Sequence, residues 1–231
     1  MRKLVLFDID GTLLSSEGMG RAAMRRALGE TFGSPGNPAY RYDGKTDKQI
    51  VRDVMRLEGH TDEHIDARME KLIDVYLEGL RTGARGGKFN VSPLEGVVEV
   101  LDALEARKDV VLGLLTGNVE PGARIKLTAA GINPDRFRVN AFGSDHEHRP
   151  QLPAIAQRRA SETLGLEIVG ERLVVIGDTP ADIECGRSIG ARSIGVASGH
   201  YTVEQLQAHD PYAVFPSLAN TKQVVETILH A

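Results

Sequence analysis

The sequence is poor in cysteine, in aromatic residues and in long hydrophobic runs. Because Cys185 is the single cysteine, the chain can form no internal disulfide, which favours a reducing compartment. The small and apolar neighbours of Cys185 favour a buried helix residue over a redox or nucleophilic thiol. No apolar run approaches the roughly 18 residues of a membrane helix, and the first run is too short for a secretory signal. We therefore expect a cytoplasmic protein without a membrane partner.

An excess of positive charge is also missing. The formal net charge is −4 over 231 residues, so the sequence has no electrostatic footprint for nucleic acid. An anionic small molecule is not excluded, because a local site can be positive on an acidic protein. The length suits one α/β core with an inserted module, and we expect a monomer or a homodimer.

Short apolar runs recur along the chain at the length of buried strands. Most of them end in Gly, Asp, Asn or Thr, and helical patterns fill the intervals between them. This alternation predicts a doubly wound α/β fold with a parallel sheet. The predicted strands are Leu4–Phe7, Val110–Leu115, Val139–Phe142, Leu173–Ile176 and Ser193–Val196. The predicted core helices are Val97–Arg107, Pro121–Ala130, Leu152–Leu164 and Pro180–Ile189.

A long interval after the first strand breaks this alternation. It carries helical patterns at Gly20–Gly29, Asp47–Leu57 and Thr61–Leu80, followed by a glycine-rich, flexible return at residues 82–87. We therefore predict a discontinuous core domain, residues 1–14 and 92–231, and an inserted helical cap domain, residues 15–91.

Two aspartates, Asp8 and Asp10, follow the first predicted strand, with Gly11 and Thr12 behind them. Ligands of open α/β sheets bind at the carboxyl ends of the strands. Carboxylates two residues apart share one side of an extended chain, where their repulsion calls for a cation, a shared proton or full solvation. One of them can act as nucleophile and metal ligand, and the other as general acid and base. The alternative is a solvated turn, and the residue string around Asp8 favours function.

Two further strand ends carry groups that suit a phosphate. Thr116, Gly117 and Asn118 precede a predicted helix, whose positive end favours an anion. Plain capping of that helix by Thr116 or Asn118 is the alternative. Arg149 follows the third core strand and can hold a phosphate bidentately, and a solvated loop arginine is the alternative.

The strand at residues 173–176 ends just before Asp178, a carboxylate suited to a hard cation. Asp182 has two compatible interpretations. With Thr179 as N-cap and Pro180 as the first helical residue, it is a capping-box acid, and it can support a metal site at the same time. These carboxylates and a phosphate repel each other. A divalent cation bound between them would attract both and so hold the phosphate at the site.

Together these motifs resemble those of the haloacid dehalogenase superfamily of phosphohydrolases, in the branch with a helical cap that includes phosphoglycolate phosphatases and β-phosphoglucomutases. The matching strings are Asp8-Ile9-Asp10-Gly11-Thr12-Leu13, Leu114-Leu115-Thr116-Gly117-Asn118 and Gly177-Asp178-Thr179-Pro180-Ala181-Asp182. The resemblance covers essentially the whole chain. One motif departs from it, because Arg149 stands where the family usually has lysine. Arg107, Lys108 and Lys126 are weaker candidates for that cation.

The resemblance implies a magnesium-dependent phosphatase reaction. Asp8 would attack phosphorus and form an aspartyl-phosphate, while Asp10 would protonate the leaving oxygen and later activate water. The implied phosphoryl-binding and catalytic residues beyond these two are Thr116, Gly117, Asn118 and Arg149. The implied ligands of Mg²⁺ are Asp8, the backbone carbonyl of Asp10, Asp178 and, in support, Asp182.

The inserted segment contributes one candidate contact to the substrate. Gly44-Lys45-Thr46-Asp47 resembles the loop-to-helix segment that reaches the substrate in related proteins. Lys45 would then contact the leaving group, and the alternative is a solvent lysine before a helix capped by Thr46. The implied substrate is a small phosphorylated metabolite. A phosphomutase of the β-phosphoglucomutase type would share every core motif, and a non-catalytic phosphometabolite-binding protein is the third hypothesis.

Overall fold

Eight strands are present in a computed structural model of the protein, which describes residues 2–231. In chain order they are β1 Lys3–Phe7, β2 Leu14–Ser15, β3 Ser92–Pro93, β4 Val110–Thr116, β5 Val139–Phe142, β6 Leu173–Gly177, β7 Arg192–Val196 and β8 Ala213–Phe215. Six of them form one parallel sheet in the order β5-β4-β1-β6-β7-β8, while β2 and β3 pair as a separate antiparallel ribbon.

Nine α-helices connect these strands among the described residues. They are α1 Met19–Phe32, α2 Asp47–Leu57, α3 Asp62–Arg85, α4 Val97–Glu105, α5 Glu120–Ala129, α6 Leu152–Leu164, α7 Pro180–Cys185, α8 Val203–Gln207 and α9 Thr221–His230. The predicted doubly wound α/β fold is confirmed. No helix that the structure describes is both long and apolar enough to traverse a bilayer.

Helices cover both faces of the sheet, so both faces are buried. Successive side chains of a strand point to opposite faces, so each strand contributes to both. Val5 and Phe7 of β1 join an apolar cluster with α4, α5 and α9, whereas Leu4 and Leu6 join a second cluster with α6 and α7. This two-sided burial explains why the core strands are apolar along their whole length. Cys185 lies in the second cluster and is buried, as its neighbours predicted.

The strand order places a topological switch at β1. From β1 the chain moves outward to β4 and β5 on one side, and it returns to β6, β7 and β8 on the other. The carboxyl ends of β1, β4 and β6 are therefore adjacent, and the crevice at such a switch is the usual ligand site of an open parallel sheet.

Three helices, α1 to α3, lie between β2 and β3. They bury an apolar cluster of their own around Met24, Val54 and Leu72, to which Val119 of the sheet domain also contributes. The β2–β3 ribbon pairs Ser15 with Ser92, so it brings together the two chain segments that lead into and out of the helices.

Some element boundaries differ from the sequence predictions. Helix α3 continues to Arg85, so the return predicted at residues 82–87 is helical over most of its length. In this stretch Gly83 and Ala84 pack on buried or partly buried apolar residues of the same cluster, which offsets the low helix propensity of glycine. The edge strand β8 and the helices α8 and α9 were not predicted. β8 is very short and only partly buried, and α8 is also very short, so both leave a weak sequence signal.

Gly113 provides a test of the packing at the centre of the sheet. A Cβ at this β4 position would lie 2.0 Å from the carbonyl oxygen of Val139 and 2.6 Å from the Leu6 side chain. We expect Gly113→Ala to lower the free energy of unfolding by about 1–3 kcal/mol through overpacking. Gly29→Ala is the control, because its nearest neighbour would be 4.0 Å away and alanine favours the helix. Denaturant unfolding of both variants measures the difference, and equal stabilities would contradict this account.

Candidate active site

The chain turns sharply directly after β1, at Asp8 and Asp10. The Asp8 N–H donates to Ile176 O at 2.9 Å and so extends the pairing of β1 with β6. Gly11 has a φ of +80°, a conformation that favours glycine, and its N–H donates to Leu14 O at 3.0 Å. This turn leaves Asp8 buried and the Asp10 side chain 41% exposed, and both line one cavity.

Arg149 is buried beside Asp8. Its Nη2 lies 3.2 Å from Asp8 Oδ1, pairs with Asp182 Oδ1, and donates to Leu115 O at 3.3 Å. Burial lowers the pKa of Arg149, but the carboxylates of Asp182 and Asp8 raise it, and the net pKa lies above its ordinary value. The Nε of Arg149 is buried without a partner among residues 2–231, so this cavity-lining guanidinium retains an unused donor.

Three buried carboxylates meet at the ends of β1 and β6. One oxygen from each of Asp8, Asp178 and Asp182 lies within 4.8 Å of the others. Burial raises the pKa of Asp8 to about 6, since the lowering effect of Arg149 is smaller than burial and the repulsion of neighbouring aspartates adds to it. Burial and the same repulsion raise the pKa of Asp178 well above its ordinary value.

This cluster fits a divalent cation, as its chemistry shows. Hard cations prefer carboxylate oxygens, and a cation relieves the cost of burying like charges. Around Asp178 the backbone is close-packed, because a Cβ at Gly11 would lie 2.4 Å and one at Gly199 1.8 Å from its Oδ2. Asp182 has both oxygens engaged, Oδ1 by Arg149 and Oδ2 by the N–H and hydroxyl of Thr179. Asp8 and Asp178 are therefore the carboxylates best placed to hold the ion.

A second cation, Lys126, lies beside Asp10. Its Nζ donates to Asp10 Oδ2 and to Asn118 Oδ1, both at 2.6 Å, and its side chain is 4% exposed. Asn118 Nδ2 in turn donates to Asp10 Oδ2 at 2.8 Å and to Thr116 Oγ1 at 2.9 Å. Asp10, Asn118 and Lys126 thus form a closed triangle of hydrogen bonds next to the buried Thr116 hydroxyl.

The first N–H groups of α5 are bound by protein acceptors. The Val119 N–H donates to Asp47 Oδ2 at 2.8 Å, and the Glu120 N–H donates to Ser144 Oγ at 2.9 Å. The sequence predicted either an anion at this helix end or capping by Thr116 or Asn118. The Asp47 carboxylate, from the inserted segment, takes that place instead.

The segment before α2 lies against the core. Thr46 caps α2 through the Gln49 N–H at 3.1 Å, and its hydroxyl donates to Glu147 O at 2.6 Å. Gly117 has no room for a side chain, because a Cβ would lie 2.1 Å from Lys45 O. Lys45 Nζ donates to the Tyr40 hydroxyl at 2.5 Å and to Asp53 at 2.8 Å. Lys45 therefore lines the cavity with partners of its own.

One cavity of about 890 Å³ joins these groups. Its floor consists of residues at the strand ends, and its opposite wall consists of residues of the inserted helices and loops. The predicted site residues that line it are Asp8, Asp10, Lys45, Thr116, Gly117, Asn118, Arg149 and Asp178. Asp182 lies behind this lining, against Arg149.

Comparison with known proteins identifies the family. The family model described as Haloacid dehalogenase-like hydrolase matches residues 5–196. The chain belongs to this family. It is 27% identical to the probable phosphatase IndB of Dickeya dadantii, over 99% of this chain and 96% of that protein. It is 25% identical to the phosphoglycolate phosphatase of Rhodospirillum rubrum, over 95% of this chain and 89% of that protein. A hydrolase from Pseudomonas syringae has the same fold, with a TM-score of 0.72, 23% identity and coverage of 97% and 98% of the two chains.

Family membership confirms the resemblance drawn from the three motif strings. The roles of individual residues stay predictions, but the structure brings the strand-end residues into one cavity. Arg149, which departs from the family's usual lysine, contacts both Asp8 and Asp182.

Two polar residues of the site were missed or underrated from the sequence. Lys126 was a weak candidate because it lies in the middle of a helix. The sequence nevertheless indicates its role, because helix side chains lean towards the N-terminus. A lysine two turns along α5 therefore reaches back to the strand end. Asp47 had no such signal. It occupies the first turn of its own helix, while its carboxylate caps another helix more than seventy residues away.

Asp47 gives the site a testable pH dependence. Burial raises the pKa of Asp47 from 3.8 to about 6, and Lys126 lowers it by a smaller amount. A raised folded-state pKa stabilises the protein below the unfolded pKa, and that stability is lost as the pH rises through the folded pKa. The stability of the parent chain minus that of Asp47→Asn should fall by about 2 kcal/mol between pH 4.5 and 7.5.

Denaturant unfolding at the two pH values measures this difference. Asp74→Asn, at an exposed position of α3, is the matched control and should give the same difference at both. A difference for Asp47→Asn that does not change with pH would contradict the predicted burial cost.

Proposed function

We propose that this haloacid dehalogenase-like hydrolase is a phosphatase that hydrolyses a small phosphorylated metabolite with Mg²⁺, through an aspartyl-phosphate on Asp8. The environment of Asp8 is the observation that carries the proposal. Its buried carboxylate lines the cavity, lies 3.2 Å from the guanidinium of Arg149, and is next to two further aspartates. The phosphatases among its relatives support the reaction class.

Asp8 and Asp10 divide the chemistry between them in this proposal. The Asp8 carboxylate attacks phosphorus and holds the phosphoryl group covalently, which splits the hydrolysis into two easier steps. Asp10, more exposed and facing the same cavity, gives its proton to the leaving oxygen in the first step. In the second step it takes a proton from the attacking water.

The transferring phosphoryl group needs donors that do not move. Arg149 is held in place by Asp182 and Leu115 and lines the cavity beside Asp8, so its guanidinium can donate to phosphoryl oxygens. The Thr116 hydroxyl is held by Asn118 at the neighbouring strand end. Preorganised donors of this kind stabilise the charge of the transition state without reorganisation.

Asp8 and Asp178 would hold Mg²⁺, with the backbone carbonyl of Asp10, and Asp182 would support them by holding Arg149. When bound, the ion would supply positive charge that lets a carboxylate nucleophile approach an anionic phosphate. Burial raises the pKa of Asp8 to about 6. The bound ion would also favour the charged form of Asp8.

Residues 15–91 would act as a cap domain that covers the site and selects the leaving group. The cavity volume of about 890 Å³ is that of a small-molecule site, and its cap wall includes Tyr40, Tyr42 and Ile50. Because Lys45 is already paired with Asp53, we expect it to shape this wall through Tyr40 and to contact the leaving group less directly. A cytoplasmic location and a monomeric or homodimeric state stay predictions.

A phosphomutase would use the same core and return the phosphoryl group to a second hydroxyl. A panel of phosphorylated metabolites with Mg²⁺, scored for both free phosphate and isomerised product, separates the two activities. Phosphate release from at least one compound is expected. Isomerisation without net release would replace the phosphatase assignment, and no reaction with any compound would favour a binding protein.

Asp8→Asn should lower kcat by more than about 10³-fold, because an amide is a poor nucleophile. Borohydride reduction of an acid-quenched reaction should label Asp8 of the parent chain, since it reduces an acyl phosphate but not a carboxylate. Thermal unfolding should show that the variant remains folded, and Asp74→Asn is the matched control. Retained activity in Asp8→Asn, or a label elsewhere, would reject Asp8 as the nucleophile.

Removal of divalent ions should abolish turnover, and added Mg²⁺ should restore it. Asp178→Asn should raise the Mg²⁺ concentration needed for half-maximal rate by about tenfold or more, because it replaces a charged ligand by a neutral one. Isothermal titration with Mg²⁺ gives the same comparison without turnover. Undiminished activity after thorough chelation would refute the metal requirement.

A further inference from the structure

Lys126 is a buried cation whose partners are known but whose role is not accounted for by the proposed reaction. It belongs to α5, its side chain is 4% exposed, and its ammonium reaches the acid–base carboxylate rather than the nucleophile. Burying an ammonium is costly unless it is paired and hydrogen-bonded. Here the two bonds, to Asp10 Oδ2 and Asn118 Oδ1, are both 2.6 Å long.

These contacts make the two oxygens of Asp10 different. Oδ2 accepts hydrogen bonds from Lys126 Nζ and from Asn118 Nδ2, at 2.6 and 2.8 Å. Oδ1 receives no hydrogen bond from any residue within the described range. A proton on Oδ2 would face two donors, so only Oδ1 can carry the proton that the reaction exchanges.

Lys126 also fixes the amide of Asn118. Its bond to Asn118 Oδ1 leaves Nδ2 as the end that faces Asp10 and Thr116, at 2.8 and 2.9 Å. One lysine thus sets the orientation of the acid–base carboxylate and of the amide that holds the Thr116 hydroxyl.

The inserted helices cover this lysine closely. A Cβ at Gly20 of α1 would lie 3.1 Å from Lys126 Nζ and 3.4 Å from its Cε. Glycine at this position lets α1 pack over the ammonium without displacing it, and Gly20 itself lines the cavity.

We propose that Lys126 is a positioning residue that occupies Oδ2 of Asp10 and presents Oδ1 to the leaving oxygen of the substrate. The proposal rests on the role of Asp10 as general acid and base. It predicts that loss of Lys126 impairs proton transfer to the leaving group far more than phosphoryl binding, because Asn118 keeps its own bonds to Asp10 and Thr116. The nucleophile stays in place.

Leaving groups that differ in their need for a proton provide the test. The nitrophenolate of p-nitrophenyl phosphate departs without protonation, whereas the alcohol of an alkyl phosphate needs a proton from Asp10. The value of kcat/KM reports the steps up to alcohol release. Lys126→Met should lower it by about 100-fold for the best alkyl phosphate of the panel, and by less than about tenfold for p-nitrophenyl phosphate.

Asp10→Asn should show the same selectivity, because it removes the proton itself. The double variant Lys126→Met with Asp10→Asn should lose little more than Asp10→Asn alone, since the two residues act as a unit. Lys222→Met, the same exchange at an exposed lysine of α9, is the matched control and should leave the hydrolysis of both substrates unaffected.

Gly20→Ala is a second variant in case Lys126→Met does not fold. Its methyl group crowds Nζ and keeps every charge, so it should lower alkyl phosphate hydrolysis selectively and by a smaller factor. Thermal unfolding distinguishes loss of structure from loss of positioning.

Equal losses on the two esters, or a double variant whose loss is the product of the single losses, would overturn the role of Lys126. If Asp10→Asn itself lacks the selectivity while the parent chain is active, the acid–base assignment fails. A parent chain with no activity on any phosphate ester would instead refute the proposed function.

Discussion

Burial of like charge is the constraint on which this site depends. Asp8, Asp178 and Asp182 place carboxylate oxygens within 4.8 Å of one another at almost no exposure. The raised pKa values of Asp8 and Asp178 express that cost. Arg149 contacts two of the three carboxylates and balances only part of their charge. A further cation would balance the rest of this charge, which links the local geometry to the metal-assisted chemistry we propose.

The sheet topology concentrates these charges, and the inserted segment encloses them. β1 lies between β4 and β6, so three strand ends deliver their polar residues to one crevice. The inserted segment contacts the core beside this crevice, where the Asp47 carboxylate accepts a hydrogen bond from the Val119 N–H before α5. That contact satisfies a helix terminus in the core. Tyr40 and Tyr42, from the same inserted segment, line the cavity that the carboxylates also line. Core and inserted segment thus meet through the loop that also carries Thr116 and Asn118.

Much of this arrangement could be predicted from sequence, and the rest could not, for physical reasons. Apolar runs predicted five of the six sheet strands, because two-sided burial leaves a continuous signal, whereas the half-buried β8 leaves little. Asp8 and Asp178 were predictable because each directly follows such a run. The helix position of Lys126 predicts only that it reaches towards the strand end. Its bond to Asp10, and that of Asp47 to Val119, join residues more than seventy positions apart, and no local pattern encodes such a contact. The identity of the groups was therefore readable, while their pairing needed the structure.

That pairing gives two chemically identical residues different surroundings. Asp8 and Asp10 are two positions apart on one turn, yet Arg149 and the carboxylates of Asp178 and Asp182 lie around the first, and Lys126 and Asn118 around the second. A carboxylate that must attack phosphorus benefits from charges that keep it ionised and aligned. One that must give and take a proton needs an oxygen left free, and the 41% exposure of the Asp10 side chain provides it. Of these two aspartates, Arg149 contacts Asp8 and Lys126 contacts Asp10, so a single buried arginine would not suffice for both steps of the proposed reaction.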